Sequence, residues 1–568
     1  MLNYSLSKIL SLSKDKYILF LIFIIALVLR LWGITHGFPH IWSIDEPALV
    51  RSSYGLRFDL NPGHFDWPHF YYYVNGFFYF LVYSFRVLVN RIGLGQELQS
   101  VFPLLYKDPT VFYFISRVLN AFVGAFTAII MYKVSKNLFS TKIAFIAATL
   151  MAILPYHVEE SHKALLEPAL VLTMLLVFYY SLKIIDKPIL KNFILAGVFI
   201  GLSTSIKYNG FLSAIPVILA TLVVILRLLP KNPEKLDTPD KSGQDRLYGN
   251  DEVPPPPVIL SLPSVIARSL RRGNLFKTRL FHPQTAGFAM TNKIKLAFKF
   301  LFISALVSIL VFFLTTPYAL LDYKTFFRSD VSSGAFWQFE NVGKNPITQL
   351  VPNLWSTLTQ RIPQVVTYPV WILSILGYLL AIYYKKTKLI LLGSFMFAYI
   401  FYTSTLTRQP THYFLPIFTL LVILASNFFS QIYKIAGGKV IQNAILILVI
   451  SVSFYSSVQV SRAYASIDTR NLATDWISEN VKSGTIFFDG EYKPLILDKK
   501  VLLKSPDGLI TESVILNTSP DYFIWTKYTG SPTQENYYQP ISDKIEKVIY
   551  FSGEGNLGPD IYIYKVTR

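Results

Sequence analysis

The stretch Trp42-Ser43-Ile44-Asp45-Glu46-Pro47-Ala48 sets two carboxylates where a helix would begin. Ser43 with Glu46 three residues on has the form of a capping box, and Pro47 suits a first helical turn. That pattern accounts for Ser43, Glu46 and Pro47 but does not need Asp45. A carboxylate beside a helix N-terminus is held ionised, so Asp45 is suited to accept a proton or a hydrogen bond. A second group, Pro155 to Pro168, holds His157, Glu159, Glu160, His162, Lys163 and Glu167. As one helix it would bring Glu160 and Glu167 to a common face two turns apart. Its two histidines and three glutamates could bind a divalent ion, although the spacing matches no specific metal motif; they could equally cap two helices at a membrane surface. Lys207-Tyr208, Arg408 and His412-Tyr413 are cationic or polar positions that either anchor helices at an interface or hold a phosphate.

The elements that must position these residues are membrane helices. The chain has 568 residues, 52% of them hydrophobic and 15% charged; soluble domains carry about 25% charge, so a soluble multidomain protein is excluded. Hydropathy predicts eleven helices: Tyr17–Ile34, Val111–Tyr132, Ile143–Leu154, Leu165–Ile185, Phe193–Ser205, Phe211–Leu229, Ala297–Thr315, Val370–Tyr384, Leu389–Tyr402, Tyr413–Ile432 and Val440–Val458. Lys8, Lys14 and Lys16, then Lys133, Lys136 and Lys142, then Lys183, Lys187 and Lys191 fall on one side. The positive-inside rule puts that side, and the N-terminus, in the cytoplasm. Eleven crossings then place the C-terminus outside. Phe70–Val89, crowded with Tyr and Phe, reads as a juxtamembrane helix on the outer surface, with a full span as the alternative. The first apolar run lacks a small-residue cleavage site and reads as a retained helix.

On this reading a helical membrane domain covers 1–460, with a first outer loop at 35–110, a cytoplasmic basic insert at 230–295 and an outer loop at 317–367. The insert holds 11 Lys/Arg against 6 Asp/Glu; its stretch Val265–Phe281 is either a lipid-surface helix or part of a solvated loop. Residues 461–568 turn charged and turn-rich. There Asp468 or Thr469 would cap a helix to Asn480, followed by strands near 485–488, 501–503, 522–525, 548–551 and 561–564, making a small α/β domain outside the membrane.

Several classes fall away. With no cysteine there is no disulfide, thiolate metal site or Cys nucleophile. The +19 charge is what cytoplasmic loops facing anionic lipid require, so no nucleic-acid partner is inferred. A transporter or flippase predicts ionisable groups at mid-depth and internal symmetry, and neither is evident. Seven of the eight histidines and the acids Asp45, Glu46, Asp59, Asp66, Glu159, Glu160 and Glu167 collect instead on the predicted outer side.

An N-terminal helix ending in Arg30-x-x-Gly33, then Pro39, Asp45-Glu46 and Trp67-Pro68-His69-Phe70-Tyr71 resembles the GT-C membrane glycosyltransferases. Pro155, Ser161-His162 and Glu167, then Lys207-Tyr208-Asn209-Gly210, Thr316-Pro317-Tyr318 and Tyr413-Phe414-Leu415-Pro416 follow in order, so the likeness runs over about 18–430. It is nearest the protein O-mannosyltransferase and aminoarabinose-transferase branch. The resemblance implies an all-α polytopic GT-C domain that takes a sugar from a polyprenyl-phosphate carrier on the outer face and transfers it with inversion to a lipid, glycan or protein acceptor. It implies a prokaryotic cell membrane as the setting. It assigns the acid acting on the acceptor to Asp45 and the second acid to Glu167, a position where Asp is usual. Glu46, Glu160, His162, Lys207, Tyr208, Arg408, His412 and Trp67 are the expected substrate-binding residues; Trp67 stands where aminoarabinose transferases place a Lys. No metal is required for a monophosphate leaving group, while a diphosphate-linked donor would call for a divalent ion.

Overall fold

The computed structural model describes residues 2–43, 45–229, 283–337, 346–407, 410–434, 438–488, 492–494, 500–505, 519–527 and 545–567. The chain opens with α1 (Leu2–Leu31). The first outer segment folds into α2 (Glu46–Gly55), α3 (Phe70–Arg91) and α4 (Gly95–Val101). Then come α5 (Thr110–Lys136), α6 (Thr141–Ala152), α7 (Pro155–Glu160), α8 (Glu167–Asp186), α9 (Leu190–Ile206) and α10 (Ala214–Leu228). α11 (Pro283–Thr315) is followed by short helical turns, and the helical domain closes with α12 (Tyr368–Tyr383), α13 (Thr387–Ser404), α14 (Leu415–Ile432) and α15 (Gly438–Ala465).

Every segment predicted from hydropathy is therefore helical, but the eleven are not equal. Among the described residues seven are long and apolar enough on their own to cross a bilayer, and a helix pair at 348–383, bent by 116°, adds an eighth if it is counted as one span. α6, with 12 residues, rises only about 18 Å against a hydrocarbon core of about 30 Å. α1 carries Lys14, Asp15 and Lys16 near its middle and Arg30 in its last turn, which bound its apolar run at both ends. Seven or eight of the segments thus meet a full-span length by themselves, against the eleven expected from hydropathy.

α14 is the axis of the bundle: nine-tenths of its apolar window is buried. It packs on α12 at backbone distance, since a Cβ on Gly377 would lie 1.9 Å from the Leu424 carbonyl oxygen. Ser374 and Asn427 tie the same pair by donating to the Leu421 and Gly377 carbonyls at 2.8 and 2.7 Å. α3 buries Tyr71, Tyr72, Asn75 and Tyr79 on one face and exposes Phe77, Phe80 and Tyr83 on the other. That is an amphipathic aromatic helix with one face left uncovered.

Beyond Ala465 a two-layer domain begins. α16 (Thr469–Asn480) is capped by Asp468, whose carboxylate accepts from the Arg470 amide at 2.9 Å. The five expected strands all form: β1 (Gly484–Phe488), β2 (Val501–Lys504), β3 (Tyr522–Lys527), β4 (Ile545–Phe551) and β5 (Asp560–Val566). Their order is β2-β1-β3-β5-β4, parallel through β3, with β5 antiparallel to β3 and β4. Ala473 and Ile477 of α16 meet Ile486, Ile524 and Ile563 of the sheet in its core.

The insert reading for 230–282, including Val265–Phe281, lies outside the described residues, and 283–295 belong to α11.

Candidate active site

A cavity of about 280 Å³ opens where the helical domain meets the α/β domain. α2 brings Asp45 and Glu46, α7 and the turn after it bring Tyr156, Glu160 and Lys163, and α15 brings Tyr464. The α/β domain closes one side with Asp468, Arg470 and Leu557. The first outer loop is fastened to that domain through Trp42, whose indole N–H donates to Asn471 at 2.6 Å and whose ring stacks under the Arg470 guanidinium at 5.3 Å. Asn471 in turn donates to the Gly37 and Phe38 carbonyls.

Tyr464 forms part of the cavity wall, held between the rings of His36 and His162, each 4.6 Å away. The approach of α15 depends on Gly33. Its φ is +87°, and a Cβ there would stand 2.4 Å from the backbone of Tyr464 and Ala465. Arg30, fully buried, donates to the Ala26 and Ala152 carbonyls at 2.8 Å and to Nδ1 of His157 at 2.9 Å, locking α1 to the end of α6 and to α7. The Arg30-x-x-Gly33 spacing thus has a packing reason: one residue ties the helix end, the other lets α15 reach the site.

The acids are treated unequally. Glu46 is fully buried and meets Arg117 of α5 through two bonds, Nε to Oε1 at 2.8 Å and Nη2 to Oε2 at 2.7 Å. It also accepts from the Ala164 amide at 2.7 Å. Glu160 accepts from Lys163 at 2.7 Å, Glu167 from Lys207 at 2.8 Å, and Asp468 pairs with Arg470 at 2.7 Å. Asp45 is exposed to the cavity and has no ion pair or hydrogen bond to its carboxylate among the described residues. Partial burial, and then the negative charge of Glu167, hold its carboxyl above the ordinary aspartate range, against the pull of Lys207 and Lys163. Burial pushes Glu160 up to about 7 despite Lys163.

Three expectations about local structure are corrected. Glu46 does not complete a capping box: its amide donates to Ser43 Oγ at 3.2 Å, but its carboxylate is turned away to Arg117 and Ala164. It is therefore a buried acid at the cavity wall with both oxygens already bonded to protein groups. The segment 155–168 is not one helix. α7 stops at Glu160 and α8 begins at Glu167, since Pro168 fits a first helical turn but would clash inside a continuous helix. Finally, His162 has no exposed surface, and both ring nitrogens face carbonyls, Val158 at 2.8 Å and Trp32 at 3.0 Å; it braces the backbone and cannot reach a ligand.

The other expected residues separate into two places. His412 lines the cavity with Asp45 and Glu160. Glu167 and Lys207 lie behind it as a pair, Lys207 also resting 5.2 Å from the Tyr413 ring. Tyr208 donates to the Phe65 carbonyl at 2.7 Å and so fixes the first outer loop, and Trp67 packs into the helical core; neither lines the cavity. Arg408 lies outside the described residues. Sequence reasoning missed His36, Arg117, Tyr156, Tyr464, Asp468 and Arg470. Arg117 carried a signal, as the one charge in α5 ahead of its last turn. The rest are contributed by segments far apart in the chain.

The fold and the cavity together define a multi-pass membrane protein with a polar site where its helices meet a small α/β domain. Residues 61–238 match the family described as dolichyl-phosphate-mannose-protein mannosyltransferase, in agreement with the resemblance seen in the motifs. That match takes in Glu160, Glu167 and Lys207, and Asp45 lies ahead of it. No curated protein matches the chain. Among solved structures, the chain is similar to the oligosaccharyltransferase AglB from Archaeoglobus fulgidus in complex with an inhibitory peptide and a dolichol-phosphate. That likeness has 12% identity, covers 90% of this chain and 69% of the other, and has a TM-score of 0.45. It is also similar to ArnT from Cupriavidus metallidurans bound to undecaprenyl phosphate, with 11% identity, 96% and 97% coverage and a TM-score of 0.39.

Proposed function

We propose that the protein is a membrane glycosyltransferase that moves one sugar from a polyprenyl-phosphate carrier to an acceptor hydroxyl, with Asp45 as the base. The observation that carries this reading is the pairing of charges. Glu46, Glu160, Glu167 and Asp468 each hold a cation, and Asp45 holds none among the described residues. An acid left unpaired in a polar cavity, with its carboxyl above the ordinary range, is suited to take a proton. The cavity, about 280 Å³, sits at the lower edge of the ~300–1,000 Å³ typical of small-molecule sites, which favours a single sugar ring over an oligosaccharide.

In the reaction the acceptor oxygen attacks the anomeric carbon as the carbon–oxygen bond to phosphate breaks on the opposite face. The configuration inverts, the hydroxyl proton passes to Asp45, and the carrier leaves as its phosphate. His412, which lines the cavity, and Lys207, held behind it by Glu167, are the groups we assign to receive that phosphate. Arg408 remains a proposed contributor. A monophosphate leaving group needs less neutralisation than a diphosphate. We therefore read the reaction as using protein cations. Purified protein incubated with a panel of radiolabelled polyprenyl-phosphate sugars and membrane extract should transfer from at least one of them, and continue to do so in EDTA. Transfer only from nucleotide sugars would sink the reaction; loss in EDTA restored by a divalent ion would sink the metal-free form.

The site belongs, on this reading, to the outer side of a prokaryotic cell membrane, with the N-terminus cytoplasmic, α3 lying along the outer surface and the α/β domain exported. A reporter fused after Arg568 should behave as exported. A cytoplasmic signal would reverse the orientation.

A further inference from the structure

A second and larger cavity, about 770 Å³, lies between α2, α3 and the start of α5. Its walls are mostly aromatic, including Tyr54, Phe77, Phe80, Tyr83 and Phe112, and Phe77, Phe80 and Tyr83 are more than half exposed. Such a groove suits a hydrocarbon chain. Two arginines stand at its rim. Arg86 faces Asp108 at 3.4 Å. The Arg57 guanidinium lies over Tyr54 and Phe58, at 3.6 and 4.2 Å from the ring centroids, and donates to the Tyr54 hydroxyl. It has no acidic partner among the described residues, and it is exposed. The two rings hold the guanidinium in place, and a guanidinium without a carboxylate partner is suited to receive a phosphate through two parallel bonds.

The position of Arg57 decides which lipid this is. Asp45 caps the N-terminus of α2, and Arg57 follows its C-terminus. At 1.5 Å of rise per residue their backbones lie about 18 Å apart. The phosphate of the sugar carrier is bonded directly to the carbon that reacts beside Asp45, so it cannot rest on Arg57 in the reacting complex. A different anionic lipid must supply the phosphate there. We propose that this groove is the acceptor site: it takes the hydrocarbon chain of an anionic lipid whose phosphate sits on Arg57 and whose head group extends along α2 toward Asp45. The groove's role as an acceptor site rests on the glycosyltransferase reading; its lipid chemistry does not.

The test uses the full chain in detergent, titrated with phosphatidic acid, phosphatidylcholine of the same acyl chains, and a polyprenyl phosphate, with bound lipid read by native mass spectrometry. Phosphatidic acid should bind at least about tenfold more tightly than phosphatidylcholine, the scale expected of a charge-assisted bond. Arg57→Glu should remove that preference and leave polyprenyl-phosphate binding unchanged, and a photoactivatable acyl chain should label the segment Phe77–Arg86. Equal binding of the two lipids, an unaltered preference in Arg57→Glu, or loss of the polyprenyl phosphate in that variant would overturn the site. In the donor panel the sugar should enter the lipid-soluble fraction, and its appearance on protein alone would overturn the acceptor assignment. Absence of transfer from every carrier, with the lipid preference intact, would overturn the reaction and leave the groove standing.

Discussion

Asp45→Asn should lower transfer by about 10²–10⁴-fold, the usual contribution of a positioned general base, while folding and insertion continue as in the parent. Asn keeps the side-chain size and can still cap a helix, and the carboxylate it replaces makes no hydrogen bond among the described residues whose loss would cost stability. What disappears is the ability to take the proton of the attacking hydroxyl. The pH profile gives an independent readout. Because partial burial and Glu167 raise the Asp45 carboxyl, it protonates at a higher pH than the ordinary aspartate value of about 3.9. Activity should therefore fall on acidification along a limb displaced upward, and the residual activity of Asp45→Asn should lack that limb. Turnover near the parent value at saturating donor would remove Asp45 from the chemistry and leave it as the first residue of a helix.

The same residue shows how far a sequence can be read. The helices and all five strands were legible because each is written locally: an apolar run for a helix, alternation with β-branched and aromatic residues for a strand. Asp468 as the cap of α16 was legible for the same reason, its partner being two residues away. The site was only half legible. Asp45 and Glu160 could be picked out as acids near helix ends, but what separates them is which cation each one meets, and those cations are far along the chain. Glu46 looked like the reciprocal half of a local cap because Ser43 is three residues away, yet Arg117, 71 residues on, wins its carboxylate. A buried guanidinium with two parallel donors offers more than a single reach back to a backbone amide. His162 misled in the opposite direction. Its type suggested chemistry, but two backbone carbonyls and the Tyr464 ring enclose it. The α/β domain's share of the cavity, Asp468 and Arg470, had no signature in the motifs, since it arises only when the first outer loop is fastened to α16 through Trp42 and Asn471.

Glu46→Gln should destabilise the protein by about 3–5 kcal/mol, the cost of leaving one charge of a buried pair uncompensated. Both Glu46 and Arg117 are almost without exposed surface. Gln can still accept from the Ala164 amide, but it cannot neutralise Arg117, which would remain charged among the carbonyls of Ile34 and His36. Arg117→Met should cost a similar amount by stranding Glu46. The double variant Glu46→Gln, Arg117→Met should cost clearly less than the sum, because neither charge is then left alone. Thermal unfolding in detergent measures all three, and activity per folded molecule separates this pair from Asp45. Glu46→Gln should keep most of its turnover once corrected for the folded fraction, whereas Asp45→Asn should keep its stability and lose its turnover. The contrast follows from geometry: one acid of the Asp45-Glu46 pair faces the cavity unpaired, and the other is turned inward to join α2 to α5 and the turn before α8. Additive losses in the double variant would mean the two charges do not neutralise each other. A turnover loss in Glu46→Gln as deep as that of Asp45→Asn, at unchanged stability, would move the catalytic role from the first acid to the second.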